Sequence, residues 1–403
     1  MKCIQIHSVD GREISVSRSV FRKYSPRIRS MLKPSLKDVS IHLYLPYAFE
    51  NIKTIDEFMK NQFLEFYSLK HAMDVYRISR KLCMFALNNC CRTRIAQPTH
   101  IKHVCEIYDL AYQNDDYKLQ FYCWINFNDD WNTVFYQNKN ALDCDENVIR
   151  RLVSRPIYQN LDEMTIFKIV YEWARRRVNS KTSLREVIAP FLLKIRFLTM
   201  DDEFLKSYVY PKQLLTEEEV NAIQHYKVTS DKSIIPDSIS RSHLSRNVEK
   251  HSFWFIYCNR SNFIHDQEIN MENKFQFISE IFVLEDCFLT GIELPISHNS
   301  EESIRIRIQK FIDSGSWNPE KENNVKSDQN GKIKLKEVFY ISKSSTFRVI
   351  AKINEEDILR NNIRISNSAS RYIVNEGMAI SSEKSALLST DIEYIYCNVN
   401  LYF

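Results

Sequence analysis

The sequence predicts an α+β chain of several domains: a short α/β front, an all-α middle and an antiparallel β-rich end. Three observations carry that expectation. Residues 2–32 form two short apolar runs around a turn and then change to helical spacing. Residues 99–226 hold helical spacing almost throughout. After His251 that spacing fades into short segments rich in Ile, Phe, Val and Tyr.

At the front, Lys2 to Ile6 and Glu13 to Val16 read as strands, and Ser8-Val9-Asp10-Gly11 between them supplies the turn residues of a hairpin. Val20, Phe21, Tyr24, Ile28, Met31 and Leu32 recur at helical intervals, which predicts a helix over Arg18 to Leu32 with Pro26 awkward in its middle. Pro34 ends it, and Val39 to Leu45 alternates like a third strand. Further helices are expected across Ile55 to Lys60 and Leu69 to Cys91.

The middle is a series of amphipathic helices. Ile101, Val104, Cys105, Ile107, Tyr108 and Ala111 mark one; Leu119, Tyr122, Cys123 and Ile125 mark another; Val148, Ile149, Leu152 and Val153 begin a third. In the next, Asp162 suits the N-cap and Glu163 puts negative charge where the first amides are unpaired. Phe167, Val170, Tyr171 and Ala174 form its buried face, and Arg175 to Arg177 suit its negative end. A helix from Leu184 to Ile188 should stop or kink at Pro190, with Leu192, Leu193, Ile195 and Phe197 extending the apolar surface.

Composition shifts near Lys227, and Ser230 to Asn247 is polar, Ser-rich and basic, as a linker is. Beyond it, strands are expected at Phe253 to Tyr257, Phe275 to Leu284, Phe288 to Leu294, Ile304 to Ile308, Ile333 to Ile341, Phe347 to Ile353 and Tyr394 to Phe403. Many short strands at this spacing suggest a C-terminal antiparallel β-sandwich. Trp317 to Gly331 reads as a long charged loop.

Composition narrows the chemistry. The chain has 403 residues, room for two or three domains, and its formal charge of +4 is small for that length and makes no general case for nucleic acid, which needs a concentrated basic footprint. No apolar run approaches the roughly 18 residues of a membrane span, and the first residues lack the apolar core of a secretory signal. Ten cysteines without CxxC spacing point to reduced thiols in the cytosol or nucleus. Five glycines leave little room for a phosphate-cradling loop or a nucleophile elbow.

The remaining reactive candidates each have a plain packing explanation. Cys90, Cys91, His100 and His103 could be imagined as thiol and base, yet they fall on or beside a helix whose buried stripe accommodates cysteine. Cys91, His100, His103 and Cys105 mix metal-ligand types at irregular spacing, unlike the paired ligands of zinc sites. Arg18, Arg22, Lys23, Arg27, Arg29, Lys33 and Lys37 make a basic run that fits an acidic partner or nucleic acid, or more simply a solvated helix face. Trp254, Phe263, Trp317 and Phe339 could line a recognition surface, although strand aromatics are mostly core. The reading is of a non-enzymatic protein that needs no cofactor.

Several of these stretches carry a family resemblance. Asn160-x-x-Glu163, the apolar run closing on Trp173-Ala174, and Lys194-Ile195-Arg196-Phe197-Leu198-Thr199-Met200 resemble the BACK domain. Phe204-Leu205 and Leu214-Leu215-Thr216-Glu217-Glu218-Glu219 are similar to one subgroup of it, in which BACK lies between a BTB domain and a PHR β-sandwich. Lys2 to Leu32, with Ser8-Val9-Asp10-Gly11-Arg12-Glu13 and Ile28-Arg29-Ser30-Met31-Leu32, resembles elongin C and so a BTB/elongin C-like fold. Phe282-Val283-Leu284, Phe288-Leu289-Thr290-Gly291-Ile292 and Ser303 to Gln309 look like a PHR domain, though one poor in glycine.

The resemblance implies a BTB/elongin C-like domain over 1–95, a BACK helical domain over 96–229, a linker over 230–250 and a PHR-like sandwich over 251–403. It further implies an adaptor that binds a cullin 3-type scaffold through the first two domains and holds a protein substrate for ubiquitin transfer through the third. In such adaptors a hydrophobic-x-Glu motif between helix and strand touches the cullin. Leu36 would take its hydrophobic place, Asp38 stands where glutamate is usual, and Tyr76 on the following helix would lie near that surface. Dimeric BTB domains exchange an N-terminal helix and strand that this sequence, starting at the first hairpin, does not contain, so the usual homodimer is not expected. The alternative is an interaction scaffold or regulator that recruits no ligase. Neither nucleic acid nor membrane is an expected partner.

Overall fold

The structure, a computed structural model, describes residues 3–32, 41–62, 64–138, 140–158, 160–246, 254–256, 276–294, 296–297, 302–312, 316–353, 364–365, 395–396 and 398–402. It is a mixed assembly of helices and open sheets, in two compact units, Met1–Val148 and Ile149–Phe403.

In the first unit, β1 (Cys3–His7) and β2 (Glu13–Ser17) form the expected antiparallel hairpin, closed by the His7–Glu13 pair. Gly11 takes φ +77 in the turn, a conformation glycine adopts without steric cost. The helix expected over Arg18 to Leu32 is instead two, α1 (Arg18–Tyr24) and α2 (Pro26–Met31). Proline disfavours the helical region for the residue before it, and Ser25 accordingly sits extended at φ −122, ψ 104. The break is capped on both sides: the Ser25 N–H donates to the Phe21 carbonyl, its hydroxyl accepts from the Ile28 N–H and donates to the Leu82 carbonyl. Because α2 ends at Met31, that side chain is 53% exposed and does not join the buried face with Phe21 and Ile28.

β3 (Ile41–Tyr44) runs parallel to β1, with Ile4 opposite Ile41 and His7 opposite Tyr44, giving the order β2-β1-β3. Ile4, Ile6 and Val16 point inward. α3 (Phe49–Asn61) starts earlier than expected and ends on Gln62 in the left-handed region, φ 54. The helix expected over Leu69 to Cys91 divides into α4 (Leu69–Lys81) and α5 (Phe85–Ile95) at Cys83, another left-handed residue. α6 (Val104–Gln113), α7 (Tyr117–Asp129) and α8 (Trp131–Phe135) follow, with Ile107, Tyr108, Leu119, Trp124, Phe127 and Phe135 buried. The division between units falls inside α9 (Glu146–Ser154).

In the second unit the rest of α9 leads to α10 (Glu163–Arg175), where Asp162 is the N-cap, its carboxylate accepting from the Thr165 N–H at 2.7 Å. α11 (Leu184–Leu192) begins with a Ser183/Glu186 capping box and continues through Pro190, beyond the expected stop. Pro190 has no N–H for the Glu186 carbonyl and crowds it with its ring, while continuation buries Phe191 and Leu192. α12 (Asp202–Phe204) runs into a π-helical turn, Leu205–Val209, and α13 (Glu217–Thr229) carries a Thr216/Glu219 capping box.

The strands are β4 (Trp254–Ile256), β5 (Gln276–Val283), β6 (Cys287–Glu293), β7 (Ile296–Ser297), β8 (Glu302–Ile312), β9 (Ser316–Ser327), β10 (Lys332–Ile341), β11 (Ser345–Ile353), β12 (Arg364–Ile365), β13 (Ile395–Tyr396) and β14 (Asn398–Tyr402). They form sheets ordered β10-β6-β14-β4 and β13-β5-β11-β8-β9, with a small β12-β7 pair. Pairing is antiparallel except for β13 beside β5, which is parallel. Side chains from both larger sheets, among them Ile281, Leu289, Ile306, Ile333 and Val349, share one buried cluster.

The charged stretch expected as a loop over Trp317 to Gly331 is largely β9, paired with β8 from Ser316 to Ser327. Its polar character suits an edge strand, whose outer side faces water. Arg305 and Arg307 reach Glu322 across the pair, and the register shifts between Ile308 and Gln309, beside Pro319, which has no N–H for the ladder. Among the described residues no helix is long and apolar enough to cross a membrane.

Candidate functional site

The positions expected to meet a partner divide sharply. Leu36 and Asp38 lie outside the described residues. Tyr76 lies in the interior of the first unit, fully buried on α4, and donates its hydroxyl to Asp116 Oδ2 at 2.6 Å. Asp116 caps α7 through the Leu119 N–H and takes Arg92 of α5 as an ion pair at 2.8 Å. Arg92 also reaches Asn88, which donates to Ser79, which donates to the Tyr76 carbonyl. One buried polar chain thus ties α4, α5 and the start of α7. Burial pushes the Asp116 carboxyl up, but hydrogen bonds from Arg92 and Tyr76 and the Arg92 charge more than offset it, leaving it below the usual carboxylate value. Burial and the Asp116 charge push the Tyr76 hydroxyl up. Tyr76 therefore contributes position to nearby surfaces rather than a contact of its own.

The basic run along α1 and α2 is largely solvated. Arg22, Lys23, Arg27 and Arg29 are exposed, Arg27 donates to the Lys81 carbonyl at 2.9 Å, and Lys23 lies over the Tyr24 ring. Lys33 and Lys37 fall outside the described residues. Cys91 and Cys105 are buried; desolvation raises the Cys91 thiol, and a hydrogen bond with Cys144 followed by burial raises Cys105, so both are held as unreactive thiols. His100 bonds the Ile95 carbonyl and His103 lies 3.5 Å from Glu106. Among the described residues no group of three or more His, Cys, Asp or Glu is arranged to hold a metal.

In the second unit, a buried ion pair organises the segment after α13. Glu163, the first residue of α10, accepts two hydrogen bonds from Arg246 at 2.7 and 2.6 Å and one from the Arg196 N–H at 2.7 Å. Arg246 donates further to the carbonyls of Arg155, Val153 and Lys194. Arg196 in turn bonds the carbonyls of Leu244 and Pro156, while Ser238 bonds Glu219, itself paired with Arg185. Residues 231–246, which composition marks as a linker, are thereby fastened to the helices, with Ile235 and Ile239 buried. Arg151 meets Asp286 at 3.4 Å and Lys194 meets Glu285 at 3.2 Å, so the turn between β5 and β6 is held to the same helices.

Of the sheet aromatics, Phe339 packs partly buried against the core. Trp317 is half-buried, edge-on to Phe311 and under the Arg348 guanidinium at 4.2 Å. Phe263 and the Trp254 side chain lie outside what is described.

A surface that sequence reading did not single out lies on α10 and the π-helical turn. Phe167 is buried beneath it and meets Tyr171, Phe197, Phe204 and Tyr208 with ring centroids 5.9–6.3 Å away. Phe204 and Tyr208 stack at 5.1 Å, and both remain half-exposed, as does Tyr171. Lys168 lies over Phe204 and Tyr208 at 5.3 and 5.7 Å; Lys212 lies over Tyr171 and Tyr208 at 4.9 and 4.6 Å. Helical spacing assigns Tyr171 to the core, and nothing in the sequence joins it to Phe204, Tyr208, Lys168 and Lys212. No protein-family model matches this chain, and no curated protein matches it either.

Proposed function

We propose that the chain is a non-enzymatic adaptor with a BTB/elongin C-like front, a BACK-like helical middle and a PHR-like two-sheet end. In this reading it binds a cullin 3-type scaffold near its N-terminus and a protein substrate near its C-terminus. Its physical contribution is to raise the local concentration of the substrate beside the ligase. The observation that carries the reading is the element order of the first unit: a hairpin, a helix pair, then a strand parallel to the first strand, followed by helices. The long helical series and the paired sheets sharing one core support it further. Tyr76 enters as a buried support of the partner surface, with Leu36 and Asp38 as the contacting residues.

The test is binding of the full chain to purified cullin 3 N-terminal domain. The adaptor reading expects binding at micromolar concentration, and Leu36→Asp should weaken it about a hundredfold or more, because a carboxylate would enter an apolar contact. Binding that survives this substitution moves the contact elsewhere. No binding by the unaltered chain favours the second reading, a scaffold that recruits no ligase, for which Asp38 in place of glutamate is the specific observation.

A further inference from the structure

We propose that the aromatic–lysine face on α10 and the π-helical turn is a docking site for an acidic peptide segment of a partner protein. The proposal stands independently of the adaptor reading. Lys168 and Lys212 each lie over two rings and share Tyr208, and among the described residues neither has a carboxylate partner. Glu172, four residues on from Lys168, borders the face and its charge reaches Tyr208, but it pairs with Arg175 at 2.9 Å, whose charge reaches Tyr208 as well. The face therefore keeps a positive excess, with two half-buried lysines that lie over the rings below. Holding them in place lowers the ordering cost of binding an anion.

The rings supply the second half of the recognition. Phe204, Tyr208 and Lys212 follow one another at four-residue intervals, and Phe167 beneath them fixes the ring positions. Tyr171 and Tyr208 have hydroxyls without hydrogen-bond partners among the described residues. An occupant that uses all of this carries carboxylates for the lysines and tyrosine hydroxyls and an apolar side chain for the exposed ring faces. An acidic segment with a neighbouring Leu, Phe or Met has that chemistry; a basic segment would be repelled. The π turn supports a functional account, since such turns are rare and recur at functional sites.

The experiment selects a random peptide library on the full-length chain and measures the recovered peptides by fluorescence anisotropy. Selected sequences should be enriched in Asp and Glu next to an apolar residue. Lys168→Glu with Lys212→Glu should weaken them about tenfold or more. Lys206→Glu, an exposed lysine on the same turn with no ring contact, should change affinity by less than about twofold. Should charge reversal unfold the chain, Lys168→Met with Lys212→Met keeps the stems over the rings and should still weaken binding. Peptides without acidic enrichment, equal loss on Lys206→Glu, or affinity unchanged by the double substitution would overturn the proposal. So would binding confined to phosphatidylserine vesicles.

Discussion

At the scale of single residues, Asp116 does the most with one side chain. It caps α7, accepts the Tyr76 hydroxyl and pairs with Arg92, whose side chain is only 18% exposed. Asparagine can replace the cap but not the charge, so Asp116→Asn would leave Arg92 largely desolvated and unpaired. The expected loss is about 3 kcal/mol, read by urea unfolding at neutral pH. The pH dependence has a definite sign. The folded-state carboxyl sits below its ordinary value, so its contribution is present above about pH 4 and fades as the solution is acidified towards the folded pKa. The stability gap between the unaltered protein and the variant should therefore narrow below that pH; a gap that widens on acidification would contradict the assignment. Tyr76→Phe removes one hydrogen bond without opening a cavity and should cost about 1 kcal/mol.

At the scale of elements, the recurrent feature is the left-handed residue that is not glycine. Gln62, Cys83, Asp115, Gln213, Ser230 and Ser344 all have φ between 49 and 61. Gln62 ends α3, and its N–H closes on the Phe58 carbonyl. Gln62→Gly should stabilise the first unit by about 0.5–1 kcal/mol by removing the steric penalty, visible as a higher melting temperature; a lower one would show that the exposed glutamine contributes more than its strain costs. These residues also explain where sequence reading fell short. Helical spacing located α4 and α5 but joined them, because Cys83 carries no composition signal for a left-handed turn. Pro26 did signal trouble, and the break came one residue earlier because the constraint falls on Ser25. Asp162 and Glu163 were readable as the start of α10, since capping depends on neighbours in sequence. β9 was not readable, because an edge strand facing water has the composition of a loop.

At the scale of the whole molecule, contacts distant in sequence decide what is fixed, and these are the least legible. Arg246 reads as one more charge in a Ser-rich basic stretch, yet its side chain is 2% exposed and binds Glu163, 83 residues away. Lys168 and Lys212 carry no signal of their own in the sequence, and only the fold brings both onto the Tyr208 ring. The Arg246–Glu163 pair gives a test of whether residues 231–246 are part of the folded unit. Arg246→Met leaves Glu163 buried with only the Arg196 N–H to satisfy it, at a cost of about 3–5 kcal/mol. If that cost releases the segment locally, trypsin should cut after Lys232 and Arg241 at least tenfold faster, since cleavage follows the population of the open form. Adding Glu163→Gln removes the unpaired charge and keeps an acceptor for the Arg196 N–H. The double variant should therefore recover more than half of the lost protection, as buried ion pairs replaced on both sides often do. Cleavage in Arg246→Met no faster than in the unaltered chain would mean the other anchors, Ser238 to Glu219 and Arg196 to the Leu244 carbonyl, hold the segment without the ion pair.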